Sequence, residues 1–239
     1  MRSEHNPNPV LECDDVISFH LRPVPGDDPE LWPYKPGQHL PITLPIDGNK
    51  VLMRTYSLSS GTGWGEYRIS VKREPLGRAS RFLHDSINVG DMIQVSEPAG
   101  NFTLDQDSNK TLVLISTGIG ITPVLSMLHS FVQSESKRKA IWVHGARDGN
   151  HHPFQEEILE LARLAGEPLK TYLVYSQPRT EDDGYDSTGH VDVNLLKELV
   201  PDLRTADYYM CGTAAFMADM EDGLQKLGVP PTQIQYETF

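Results

Sequence analysis

Over the first hundred residues, apolar and polar positions alternate in short runs. Val16 to Leu21, His39 to Leu44, Leu52 to Leu58, Tyr67 to Val71 and Met92 to Val95 each read as one strand, separated by Gly, Pro and Asp turns. Short strands at this spacing predict an antiparallel barrel or sandwich. One helix interrupts them at Arg78 to Asp85, which places Ala79, Phe82 and Leu83 towards a core. Met1 to Pro9 reads as a short polar tail, broken by Pro7 and Pro9 and lacking an apolar signal core.

The texture changes after the polar cluster Asp105-Gln106-Asp107-Ser108-Asn109. Thr111 to Ser116 is a continuous apolar run, as expected of a parallel strand buried on both faces. Strands at Ala140 to His144, Leu169 to Tyr175, Tyr208 to Cys211 and Ile234 to Tyr236 then alternate with helices. The helices run over Thr122 to Val132, Phe154 to Leu164, Asp192 to Val200 (Asp192 as cap), and Ala214 to Leu227, the last closed by Gly228. The expectation is β + α/β: an N-terminal antiparallel β-barrel over residues 1–108, then a doubly wound parallel-sheet domain over 109–239.

Charge and cysteine usage narrow the function. The 239 residues carry 21 basic and 33 acidic side chains, a net charge of −12 that argues against nucleic acid and anionic lipid as partners. Thr111 to Leu128 is uncharged, but Gly118, Gly120 and Pro123 make it strand, turn and helix rather than a membrane span. The two cysteines, Cys13 and Cys211, suit a reducing, cytoplasmic setting and cannot form a thiolate cluster on their own. No metal site is expected. His151-His152 and Glu181-Asp182-Asp183 read as solvated loops, and Met210, Met217 and Met220 as packing.

Two segments carry chemistry. Ser116-Thr117-Gly118-Ile119-Gly120-Ile121-Thr122-Pro123 follows the first parallel strand, where glycines and a helix N-terminus suit a pyrophosphate, with Thr122 as cap and Pro123 in the first turn. Its third fingerprint position is Pro123, so it is neither G-x-G-x-x-G nor a P-loop. Arg54-Thr55-Tyr56-Ser57 could serve a phosphate ester with a planar ring: Arg on phosphate, ring on ring, hydroxyl on a ring nitrogen.

Together these segments resemble the ferredoxin–NADP reductase superfamily, most closely the reductase part of flavohaemoglobins (nitric oxide dioxygenases). Pro36-Gly37-Gln38-His39 resembles the loop before the flavin strand, and Arg54-Thr55-Tyr56-Ser57 the R-x-Y-S flavin motif. Ile69 to Glu74 with Gly77-Arg78-Ala79-Ser80 resembles the flavin phosphate segment. Ser116 to Pro123, His144 to Gly149, Tyr209-Met210-Cys211-Gly212 and Tyr236-Glu237-Thr238-Phe239 resemble the nucleotide segments and the terminus.

The resemblance implies a barrel holding FAD and an α/β domain holding NADH or NADPH. It implies that Arg54, with Gly77, Ala79 and Ser80, binds the FAD pyrophosphate. Tyr56 would stack on the flavin with Thr55 beside it, Ser57 would bond N5, and Val71 and Lys72 would line the cofactor through backbone groups. His39 stands where an aromatic is common. Thr117, Gly118, Gly120, Thr122, Pro123, Ser176 and Gly212 fall on the nucleotide side. Arg147 and Arg179 are candidates for reading a 2′-phosphate, although Asp148, Glu181 and Asp182 beside them favour NADH. Phe239 would pack near the flavin, and Ser57, Cys211 and Glu237 would be catalytic. Thr213, where Pro is common, suggests a looser turn.

The implied activity is an FAD-dependent NAD(P)H oxidoreductase passing single electrons to a haem or iron–sulfur acceptor. No globin precedes Met1 and no ferredoxin module follows Phe239 in this sequence, so the acceptor is expected to be another molecule or a domain outside it. Two alternatives stand beside this reading: an FMN-type oxygenase reductase served by a separate ferredoxin, and a non-catalytic flavin- or nucleotide-binding regulatory subunit.

Overall fold

The computed structural model describes residues 2–23, 31–46 and 51–239, with side chains from Pro7 onward. The first sheet contains β1 (Arg2–Cys13), β2 (Val16–Pro23), β3 (His39–Pro45), β4 (Val51–Ser57), β5 (Tyr67–Lys72) and β6 (Ile93–Ser96), in the order β4-β3-β6-β1-β2-β5 with every pair antiparallel. A bridge from Leu58 to Ile69 joins the two ends and closes the sheet into a barrel.

Strand β1 departs from the polar tail read in the sequence. Its first residues, Arg2 to His5, pair with β6, and His5 to Cys13 pair with β2. Pro7 and Pro9 lie beyond β6, where only β2 flanks them, so their missing donors break no second ladder. Backbone pairing, rather than an apolar pattern, makes this strand.

Alternation sorts the barrel residues. Leu40, Ile42 and Leu44 of β3 and Tyr67, Ile69 and Val71 of β5 are buried in one core with Phe19, Leu21 and Val95. Helix α1 (Arg78–Ser86) covers one end with Ala79 and Leu83 buried and Phe82 partly so. Arg68, Ser70 and Lys72 point to the opposite face of β5, towards the second sheet.

That sheet holds β7 (Thr111–Thr117), β8 (Ala140–Ala146), β9 (Leu169–Tyr175), the two-residue β10 (Ser187–Thr188), β11 (Ala206–Gly212) and β12 (Ile234–Thr238). The order is β10-β9-β8-β7-β11-β12, all parallel. Helices α2 (Ile121–Gln133) and α3 (Gln155–Ala165) cover one face with Leu112, Leu114, Trp142 and Cys211. Helices α4 (Val193–Leu199) and α5 (Ala214–Lys226) cover the other with Val113, Ile115, Val143, Met210, Met217 and Met220. The winding reverses between β7 and β11, and the carboxyl ends of those strands face the barrel. A ligand crevice belongs at such a reversal.

Candidate functional site

A cleft of about 1190 Å³ opens between the barrel and the carboxyl ends of the parallel strands. One drug-sized ligand usually occupies roughly 300–1,000 Å³, so the space exceeds that of a single small ligand.

The barrel wall is built from β4, β5 and the start of α1. Arg54, Thr55, Tyr56 and Ser57 all line it. The exposed Arg54 guanidinium donates to the Met53 carbonyl, and no carboxylate among the described residues pairs with it. Helix α1 begins at Gly77 with no side-chain cap and no acidic residue in its first turn, so its first amides and positive dipole end are available to an anion. Gly77, Ala79 and Ser80 line the cleft there. The Ser80 hydroxyl is already committed, accepting from the Glu74 amide and donating to the Gly77 carbonyl. Lys72 reaches Asp15 at 3.7 Å. Val71 lies in the barrel core and does not line the cleft.

The sheet wall is built from strand ends. Thr117, Gly118, Thr122, Arg147 and Ser176 line it. Gly118 takes a left-handed φ of 52°, and a Cβ there would meet nothing within 4 Å, so backbone is presented openly to the cleft. Gly120 serves packing instead: its Cβ would stand 2.2 Å from the Cys211 carbonyl. Gly120, Pro123, Cys211 and Gly212 form the layer behind the wall and do not line it. Thr122 does not cap α2; its hydroxyl donates to the Ile119 carbonyl, because the Gly118–Gly120 turn shifts the helix start to Ile121. Thr213 tightens its turn rather than loosening it, accepting from the Phe216 amide as the cap of α5.

The cations on this wall are occupied. Arg147 donates to Asp148 at 3.2 Å and contacts His151. Burial pushes the Asp148 carboxyl up, but hydrogen bonds from His151 and Arg147 bring it below its ordinary value. Arg179 lies off the cleft lining, held by Asp182 at 2.6 Å and Glu181 at 3.1 Å. The Asp182 side chain is not solvated: it is 2% exposed, accepts from the Gly149 amide, and is held at about 2 by the Arg179 guanidinium. The paired histidines are not solvated either. His151 lines the cleft, and His152 is buried, stacked on His144 and bonded to the Tyr175 hydroxyl.

The two walls meet at β12. His39 Nδ1 stands 3.9 Å from Glu237 Oε1. Burial raises the Glu237 carboxyl above its ordinary range, while His39 and a hydrogen bond from Ser57 draw it back in part. Cys211 sits opposite Glu237 in the β11–β12 register. It is fully buried, and burial pushes its thiol well up, so it is held as a neutral thiol. The exposed Phe239 ring completes the junction. Among the described residues, neither Phe239 nor Tyr56 makes a ring–ring contact.

These residues fit a flavin dinucleotide and a nicotinamide dinucleotide. Unpaired Arg54 and the uncapped α1 suit a pyrophosphate, Tyr56 and Phe239 offer free aromatic faces, and Gly118 opens the α2 terminus to a second phosphate group. Several lining residues carried no signal in the sequence, among them Asp15, Gly189, His190 and Val191. They come from strand ends and loops far apart in the chain.

Residues 11–104 match the family described as oxidoreductase FAD-binding domain, and residues 114–222 the oxidoreductase NAD-binding domain. Curated relatives include a Burkholderia "Flavohemoprotein", 43% identical over 230 residues, and a Pseudomonas aeruginosa one, 40% identical over 228. The alignments cover 96% and 95% of this chain but 57% and 56% of those proteins, so the chain spans little over half their length. Among solved structures, the flavohem-like FAD/NAD-binding domain of nitric oxide dioxygenase from Vibrio cholerae superposes with a TM-score of 0.89 at 30% identity, over 99% of this chain and 98% of that one. A flavohaemoglobin from Malassezia yamatoensis, solved with FAD and haem, gives 0.86 at 26% identity over all of this chain and 60% of that one. The chain therefore belongs to the flavohaemoglobin-type family of FAD- and NAD-binding oxidoreductases.

Proposed function

We propose that the chain takes reducing equivalents from NADH and delivers them, through FAD, to a haem outside it. The observation that carries this reading is the cleft with two unlike walls, one leaving Arg54 without a carboxylate among the described residues beside the uncapped α1, the other pairing Arg147 with Asp148. Bound FAD would supply the conversion of a two-electron donor into one-electron transfers.

The protein's part is binding and orientation. Arg54 and the first amides of α1 hold the flavin pyrophosphate, and Tyr56 with Phe239 hold its ring system. Ser57 donates its hydroxyl to the ring. Thr117, Gly118 and the start of α2 hold the nicotinamide dinucleotide, with Ser176 and Arg147 along its far end. Glu237, its carboxyl raised by burial and drawn back in part by His39 and Ser57, faces the junction of the two walls. Cys211 shapes the floor of the junction as a neutral side chain.

The relatives' name and the haem in the Malassezia structure support a haem acceptor. The net charge of −12 favours a protein partner over nucleic acid. Both cysteines are free and no helix among the described residues is long and apolar enough to cross a membrane, which supports a cytoplasmic setting. The division of labour falls at Ser108 and Asn109, between the last barrel strand and β7.

Reconstitution tests this reading. The purified chain is loaded with FAD or FMN, desalted, and supplied with NADH and cytochrome c as a haem probe. Retention of FAD over FMN and FAD-dependent haem reduction are expected. Failure to retain either flavin, or equal haem reduction without flavin, contradicts the reading.

A further inference from the structure

A heavily engaged charge lies outside the cleft, where β5 meets α3. Arg68 is buried, and its guanidinium sits between the Trp64 ring at 5.1 Å and the Phe154 ring at 4.9 Å. It donates to both Glu157 oxygens, at 2.7 and 2.8 Å, and to the Ser59 carbonyl and hydroxyl at 2.6 and 3.1 Å. Glu157 belongs to the first turn of α3, where the helix dipole favours a carboxylate. It also bonds His129 of α2 at 2.5 Å, and His129 packs edge-on against Trp64. Burial pushes the Glu157 carboxyl up, but the bonds from His129 and Arg68 hold it at about 2.

Two features connect this cluster to the cleft. The Ser59 hydroxyl that receives Arg68 also bonds Ser70, which lines the cleft. On α2, Thr122 lines the cleft, Ser126 donates to the Ser60 carbonyl of the barrel, and His129 reaches Glu157. These three residues fall on one face of the helix by their spacing. The wall segments β5 and α2 are thus both anchored in the same ion cluster. Phe154 adds a cost: it is buried at φ 64°, and it is one of two non-glycine residues with positive φ among those described. A left-handed phenylalanine at a helix start persists only where surrounding contacts over-determine it, and here it places the ring on Arg68.

We propose that Arg68, clasped by Glu157, Trp64 and Phe154, is a positioning residue that sets the separation of the two cleft walls. It thereby governs transfer between the nucleotides without touching either. The inference rests on the proposed function for its kinetic consequence, and on the clasp alone for its structural one.

The test compares Arg68→Met, Glu157→Met, the double variant and Arg68→Lys in the whole chain. Glu157→Met leaves the buried Arg68 guanidinium without its carboxylate, and Arg68→Met leaves Glu157 with His129 as its one remaining side-chain partner among the described residues; each lowers Tm by about 10 °C, whereas the double variant regains most of that loss. FAD affinity stays within about threefold throughout. Flavin reduction at saturating NADH falls about 10- to 100-fold in Arg68→Met and stays low in the double variant, because misplacement persists after stability returns. Arg68→Lys restores the rate only in part, since the two-sided ring stack and fork are lost. In the flavin-free chain, hydrogen exchange rises at residues 59–70 and 121–133 in the double variant at matched stability. A double variant that reduces flavin at the wild-type rate, or whose exchange is unchanged, overturns the proposal. A wild-type chain that holds no FAD, or is not reduced by NADH, overturns the proposed function instead, and the exchange experiment still decides the clasp.

Discussion

The two walls of the cleft differ in how each holds one arginine. On the barrel wall, Arg54 is exposed without a carboxylate among the described residues, and α1 starts with neither cap nor acid. On the sheet wall, Arg147 is paired with Asp148, and Arg179 is drawn off the cleft by Asp182 and Glu181. A free arginine beside bare amides suits a tightly held pyrophosphate. Paired arginines give a 2′-phosphate little to bind, while a ribose needs no cation. The contrast suits a resident cofactor on one side and an exchanging, unphosphorylated donor on the other.

Removing the free charge is the strongest challenge to that contrast. Arg54→Ala is expected to weaken FAD binding about 10- to 100-fold, the worth of roughly 1.5–3 kcal/mol in charged hydrogen bonds. A flavin fluorescence titration reads it, and unchanged affinity would move the pyrophosphate elsewhere. Ser57→Ala is next: flavin reduction by NADH slows about tenfold while FAD retention changes by less than about threefold, because one hydrogen bond to the ring is lost. Equal losses in both would make Ser57 a binding residue only. On the opposite wall, Asp182→Asn loosens Arg179 and narrows the NADH-to-NADPH ratio of kcat/KM by up to about fivefold, the range of one partly exposed ion pair. If the ratio does not move, Arg179 has no part in donor choice.

The last effect vanishes at neutral pH. Burial holds His152 down from the usual 6.5 to about 4, with buried His144 also well below its ordinary value. The unfolded chain then binds more protons than the folded one as pH falls from 6.5 towards 4. Stability is full above 6.5 and is lost across that window, by about 3 kcal/mol for His152. Glu157, ordinarily 4.5 and held at about 2, adds a further loss below 4.5. Thermal melts of wild type and His152→Phe between pH 7 and 4 check this: the variant should show the flatter slope.

How much the sequence revealed follows from the range of each signal. Arg54 to Ser57 and Ser116 to Pro123 were legible because strand alternation and a glycine turn are local, and the structure places both segments against one cleft. The clasp was not legible. In Tyr67-Arg68-Ile69-Ser70 nothing local singles out Arg68, since its partner Glu157 is 89 residues away. Asp182 reads as part of an acidic loop until Arg179 and the Gly149 amide are found on it. The same holds for β1, whose polar residues are strand only because β2 and β6 pair with their backbone. Long-range pairing decides these positions, and composition carries no trace of it.

The most direct test of the two-wall account is anaerobic mixing of the FAD-loaded chain with NADH and, separately, NADPH, following flavin absorbance. The account predicts rapid bleaching by NADH and markedly slower bleaching by NADPH. Equal bleaching by both, or faster bleaching by NADPH, would contradict it.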